Sequence, residues 1–107
     1  MSNVAENFAK ITAKIEEKGD AALEIAEIFQ FNITGEDSGT WTVNLKEGPS
    51  CTEGENDDAT CVITIADEDF LGLMAGERNG MELFATGKLK IERDAMAAMK
   101  LEKLFKM

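Results

Sequence analysis

The stretch FQFNITGEDSGTWTVNL, residues 29–45, decides the fold. Phe29, Phe31 and Ile33 alternate with Gln30, Asn32 and Thr34, the period of two expected of a strand with one buried face. TGEDSG (34–39) then gathers Gly, Asp and Ser, which favour turns through backbone freedom and local side-chain hydrogen bonds. After it Trp41, Val43 and Leu45 lie on one face, with Thr40, Thr42, Asn44 and Lys46 on the other. Strand, turn and strand predict an antiparallel hairpin.

Working outward, KEGPS (46–50) is a turn holding the sole proline, Pro49, and a weak third strand covers 50–53. GENDD (54–58) turns the chain again, and 59–66 predict a fourth strand with Cys61, Ile63 and Ile65 facing one way. Leu89 and Ile91 alternate with charged residues to give a fifth. Upstream, Asn3 with Glu6 three residues later resembles a capping box. Val4, Phe8, Ile11 and Ile15 follow at helical spacing, with Gly19 as the expected stop. Residues 20–27 leave room for a short helical turn. Asp67 is expected to cap a helix carrying Phe70, Leu71, Leu73 and Met74, closed by Gly76. Asn79 and Glu82 repeat the pattern for a short helix with Met81, Leu83 and Phe84, closed by Gly87, and Asp94 caps a last helix. The expected fold class is α+β, one domain over residues 1–107. Its core is a five-stranded, mostly antiparallel sheet covered on one face by helices.

Composition narrows function. The net charge of −10 disfavours nucleic acid, whose binding relies on cations that displace phosphate counterions. There is no histidine, so the commonest general base and metal ligand is missing, and Ser–His–Asp or Cys–His catalysis is impossible. Two cysteines alone do not make a structural zinc site. Cys51 and Cys61 lie symmetrically about Asn56 and are placed to face each other across a hairpin, but two free thiols are the expectation in an unexported protein. The acidic run with Glu53, Glu55, Asp57 and Asp58 lacks the calcium-loop pattern and reads as a solvated turn. No run approaches the ~20 apolar residues of a membrane span, and Glu6 stands where a signal peptide is apolar.

Met74, Met81, Met96, Met99 and Met107 fall in the last third of the chain. Methionine fills irregular gaps in an ordinary core, and it equally suits a surface that repacks around variable apolar ligands. Lys10, Lys14 and Lys18 form one stripe, and Lys100, Lys103 and Lys106 another. A solvated face is the ordinary reading of both. The alternative is attraction of anionic headgroups.

From GTWTVNLKEG (39–48) through 57–101 the chain resembles the sterol carrier protein 2 family. The resemblance rests on the Trp41 strand ending in a lysine and glycine turn, the step from Asp58 into the apolar strand, and the acidic cap and helix from Asp67 to Gly76. It ends with the FATGKLKI segment (84–91) running into the Met99-Lys100-Leu101 helix. The pattern often carries Gly-Asp or Gly-Asn before the last helix, where this chain has Glu92, Arg93 and Asp94.

The resemblance implies an apolar tunnel between sheet and helices. It implies binding and transfer of fatty acids, fatty acyl-CoA, sterols or phospholipids, without catalysis or cofactor. Phe31, Ile33, Trp41 and Val43 are then the sheet wall, and Phe8, Ile11 and Ile15 come from the first helix. Phe70, Met74, Met81, Phe84, Met96, Met99, Leu101, Leu104 and Phe105 close the space. The expected partner is a lipid, with transient membrane contact, and the protein is read as a monomer. The alternative is an accessory domain that docks on a lipid-metabolising enzyme. The ending Phe-Lys-Met puts Phe105 where a peroxisomal signal has a small residue, so the cytoplasm is the expected location, with the peroxisome the alternative on a poor signal.

Overall fold

The computed structural model describes residues 3–46, 50–94 and Lys100. Two helices open the chain, α1 (Asn3–Glu17) and α2 (Gly19–Ile25), followed by β1 (Ile28–Thr34), β2 (Gly39–Asn44), β3 (Ser50–Glu53) and β4 (Cys61–Ala66). Then come α3 (Asp67–Met74), α4 (Gly80–Ala85) and β5 (Leu89–Arg93). The predicted last helix, with Met96, Met99, Leu101, Leu104 and Phe105, lies outside the described residues.

The five strands form one sheet in the order β3-β2-β1-β4-β5. Every pairing is antiparallel except β1 with β4, which is parallel. The hairpin is as expected, with Phe31 opposite Trp41 and Phe29 opposite Val43. Because β4 joins the far side of β1, Cys51 and Cys61 do not face each other. Cys51 pairs with Val43, Val43 with Phe29, and Phe29 with Cys61, so two strands separate the thiols and both are free.

The crossover runs beneath the sheet. Gly54 N donates to Thr40 O (2.8 Å), Thr42 Oγ1 to Gly54 O (2.8 Å), Asn56 N to Gln30 Oε1 (3.0 Å) and Thr60 N to Ile28 O (2.9 Å). These bonds carry residues 54–60 across the face opposite the helices. Gln30 and Thr42 are therefore buried, at 7% and 3% exposure, on the face expected to be wetter. Their polar atoms are satisfied, as buried polar groups must be. Ile28, Ala59 and Val62 form a small apolar cluster there.

The helix-facing side holds the main core. Phe31, Ile63 and Ile91 share one row of the sheet, and Ile33, Ile65 and Leu89 another. Val4, Phe8, Ile11 and Ile15, one stripe of α1, are buried against this face.

Three local expectations are corrected. Gly19 opens α2 rather than closing α1; the break sits at Lys18, whose φ of −112° is non-helical. Asp67 is not the N-cap of α3. Ala66 is, and Asp67 is the first helical residue, its carboxylate engaged elsewhere. Asn3 lies inside α1 rather than ahead of it. Asn79 does cap α4, its Oδ1 accepting from Met81 N at 2.8 Å. Arg93 adopts a left-handed conformation, φ 68°, at the place where the resemblance expects glycine. Its Nη1 donates to Ala59 O (2.8 Å) and Asp57 O (3.2 Å), so the side chain ties the end of β5 to the crossover.

Candidate ligand-binding site

The helix-to-sheet layer centres on Phe8. Its ring stacks on Trp41 of β2 on one side and Phe70 of α3 on the other, both with centroids 4.8 Å apart, and meets Phe31 edge-on at 5.5 Å. Each such pair adds about 0.5–1.5 kcal/mol beyond burial. Phe8, Phe31 and Phe70 are fully buried, and Trp41 is half-buried at the margin.

The turn between β1 and β2 sets how α1 and α3 lie. Val4 N, in the first turn of α1, donates to Asp37 Oδ2 (2.9 Å), and Asp37 N donates to Asp67 Oδ2 (2.9 Å) at the start of α3. Asp67 Oδ1 accepts from Glu68 N (2.8 Å). Gly35 makes this approach possible: φ is +106°, and a Cβ there would lie 2.5 Å from Asp67 Oδ1. Each helix start thus receives a carboxylate, which satisfies an orphan amide and suits the dipole.

With their N-termini held side by side, α1 and α3 leave a groove of about 490 Å³ between them. Ile11, Leu71, Met74 and Ala75 give it apolar walls, and Asn3, Glu6, Asn7, Lys10 and Lys14 line its polar side. The Phe8–Phe70 stack joins the same two helices below it.

Of the residues expected to line a lipid space, Phe8, Ile11, Ile15, Phe31, Ile33, Val43 and Phe70 belong to one core cluster, with Trp41 and Met74 packed against it. Ile11 and Met74 also line the groove. Met81 and Phe84 stand apart on α4, 74% and 53% exposed. Met96, Met99, Leu101, Leu104 and Phe105 lie outside the described residues. Sequence reasoning did not single out Asn3, Asn7, Leu71 or Ala75 as lining residues. Their signal was available: residues 3, 7, 10, 11 and 14 share one side of a helix, as do 71, 74 and 75.

The remaining polar chemistry is structural. Lys100 Nζ donates to Ile25 O (3.2 Å) and pairs with Glu27 Oε1 (3.1 Å), placing a cation at the C-terminal end of α2. Burial pushes the Cys51 thiol up, partly offset by a hydrogen bond from Thr12. Burial, with the Asp94 and Glu27 charges, raises Cys61 to about 11. Neither is an activated nucleophile. Among the described residues no group of His, Cys, Asp and Glu side chains is placed to hold a metal, and no helix is long and apolar enough to cross a membrane.

The sequence profile of the SCP-2 sterol transfer family matches residues 8–106. Human sterol carrier protein 2 is 40% identical over 102 residues, which cover 91% of this chain and 19% of that protein. The chain thus spans about a fifth of the length of the first curated relatives it matches. The sterol carrier protein domain 2 of Helicoverpa armigera superposes with a TM-score of 0.79 at 28% identity, over 94% of this chain and 84% of that one. Sterol carrier protein-2 from Aedes aegypti, solved with the C16 fatty acid palmitate, gives a TM-score of 0.76 at 24% identity, over 94% and 91%, a likeness of fold.

Proposed function

The chain belongs to the SCP-2 sterol transfer family, and on that premise we propose that it is a non-enzymatic carrier that shields long-chain lipids, fatty acids foremost, during transfer. The observation that carries this reading is the construction of the α1–α3 layer. A groove with apolar walls and one polar side opens between two helices whose ring contact among the described residues, Phe8 on Phe70, is stacking without hydrogen bonds. Rings that slide apart lose modest stacking energy and break no polar bond. The layer is therefore a natural place for an acyl chain to enter toward Phe31, Ile33 and Val43. The fold neighbour solved with palmitate supports fatty acid as the ligand class. Burying the methylenes of a sixteen-carbon chain at ~0.8 kcal/mol each offsets the cost of immobilising it, without a dedicated polar contact for every lipid. The carrier acts as a monomer in the cytoplasm and delivers its ligand through transient membrane contact.

Trp41 reports on this directly, because it is stacked on Phe8. Titration with palmitate is expected to change Trp41 emission saturably at micromolar concentration and to raise the melting temperature. Native mass spectrometry of the purified protein should show bound fatty acid. No emission change, no thermal shift and no bound lipid would refute the carrier reading.

A second reading has its own support. The match occupies only 19% of human sterol carrier protein 2, so this domain also occurs within longer chains. There it would serve as an accessory module beside a catalytic partner. Stoichiometric co-purification of an enzyme with lipid-free protein would favour it.

A further inference from the structure

We propose that the outer face of α4, formed by Met81 and Phe84, is the surface on which the protein docks to a phospholipid bilayer, and that it binds by apolar insertion rather than by charge. The inference builds on the carrier reading, which requires a meeting with a membrane, and names the surface that makes it. Met81 and Phe84 are 74% and 53% exposed, whereas Leu83 of the same helix is buried at 2%. Three residues apart, Met81 and Phe84 share one side of α4, and Leu83 anchors the other to the core. Both ends of the helix are fixed. Met81 N donates to the capping Asn79 Oδ1 (2.8 Å) at its start. At its end Gly87 N donates to Phe84 O (3.1 Å) and Lys88 N to Leu83 O (2.9 Å), the pair of bonds that closes a helix through a left-handed glycine, here with φ +77°. The two apolar side chains are thus held outward on a preformed turn, so insertion need not order the backbone.

Size, charge and position favour a bilayer over a protein as the occupant. A stable protein–protein interface takes ~800 Å² per partner, whereas two side chains exposed to this degree offer on the order of 200–300 Å². Insertion at the boundary between headgroups and acyl chains has no such minimum. The helix and its flanks, residues 77–90, carry Arg78, Lys88 and Lys90 against Glu77 and Glu82. Charge along this segment is close to balanced in a chain of net charge −10, which suits zwitterionic headgroups and not a strongly anionic surface. Gly80 lies against α3, where Leu73 Cδ1 is 3.8 Å from the place a Cβ would take, and the next two residues, Met74 and Ala75, line the groove. A bilayer met by α4 is therefore brought beside the C-terminal end of that groove.

The test compares wild type with Met81→Gln/Phe84→Gln and with Leu23→Gln, the last altering a large apolar side chain of α2 that is 42% exposed. Each protein is floated with phosphatidylcholine vesicles, with and without phosphatidylserine, at low and high salt. Wild type should float with phosphatidylcholine alone and equally at both salt concentrations, because salt screens charge and not apolar burial. The double variant should lose roughly tenfold or more in partitioning, as expected of two large apolar side chains, and Leu23→Gln should behave as wild type. Palmitate binding, read from Trp41 emission, should be unchanged in both variants, while delivery of palmitate to vesicles slows in the double variant alone. Equal partitioning of wild type and double variant, or wild-type flotation that needs phosphatidylserine and is abolished by salt, overturns the docking face while the carrier reading stands. A dimer in solution that the double variant loses, without flotation, assigns the face to a second copy and overturns it too. Palmitate bound by none of the proteins, with flotation still lost in the double variant, overturns the carrier reading and leaves the docking face.

Discussion

The backbone amide of Asp37 donates to the carboxylate of Asp67 across 2.9 Å, linking the β1–β2 turn to the first residue of α3. The carboxylate of Asp37 in turn accepts from Val4 at the start of α1. One four-residue turn therefore caps one helix and grips another. Asp37→Ala should lower stability by about 1–2 kcal/mol, the cost of losing an N-terminal acceptor. Asp37→Asn, which keeps an acceptor oxygen, should recover more than half. Urea unfolding of the three proteins tests this, and an Asn variant as weak as Ala would show that charge, not acceptor geometry, holds the turn.

Gly35→Ala combines a left-handed backbone with a contact 2.5 Å from Asp67 Oδ1. The expected cost is about 1–3 kcal/mol. Adding Asp67→Ala removes the collision but not the backbone strain, so the two losses should sum to more than the double variant shows. Strict additivity in a double-mutant cycle would place the cost in the backbone alone.

Arg93 holds φ 68°, which costs a side-chain-bearing residue about 1–2 kcal/mol, yet its guanidinium binds two crossover carbonyls. Arg93→Ala keeps the strain and loses the bonds. Arg93→Gly loses the bonds and relieves the strain. Thermal melts should place the glycine variant near wild type and the alanine variant at least ~1 kcal/mol below it. If alanine equals glycine, the strain is not what the position stores.

Cys61 titrates at about 11 in the fold against an ordinary 9.0, chiefly through burial and secondarily through Asp94 and Glu27. Between those values the folded protein holds a proton that the unfolded chain gives up. Its contribution is therefore complete below pH 9 and lost as pH rises toward 11. The urea midpoint of wild type should fall more steeply over that interval than that of Cys61→Val, while at pH 7 the native thiol resists iodoacetamide. Parallel curves, or rapid native labelling, would contradict the assignment.

Most strands were legible because their alternation is clean: Phe29, Phe31 and Ile33 read as one buried face, and they are. The α1 stripe was legible for the same reason, at period 3.6. The neighbour of β4 was not. A turn-rich 54–60 segment looks the same whether it folds back on β3 or passes beneath the sheet, and the choice is made by distant partners such as Gln30 for Asn56. Asp67 misled because aspartate ahead of an apolar run is the usual N-cap signal, and nothing local shows that its carboxylate is claimed by Asp37. At the candidate site the apolar half was readable from periodicity. The groove was not, since it exists only once Lys10 and Met74, far apart in sequence, line the same space.

The parallel register of β1 and β4 also has a kinetic meaning. The hairpin from Phe29 to Val43 closes through a short turn, but Ile28 meets Thr60 only by closing 32 residues of chain, and the crossover must already be threaded along β2. Closure entropy rises with such separation, and non-local pairing is slow. Folding is thus set to proceed outward from the β1–β2 hairpin, with the β4–β5 half docking last. Substitutions at Gln30 or Asn56 should then speed unfolding more than they slow folding. The face opposite the helices, far from the groove, becomes the part of the molecule that governs how long the assembled fold lasts.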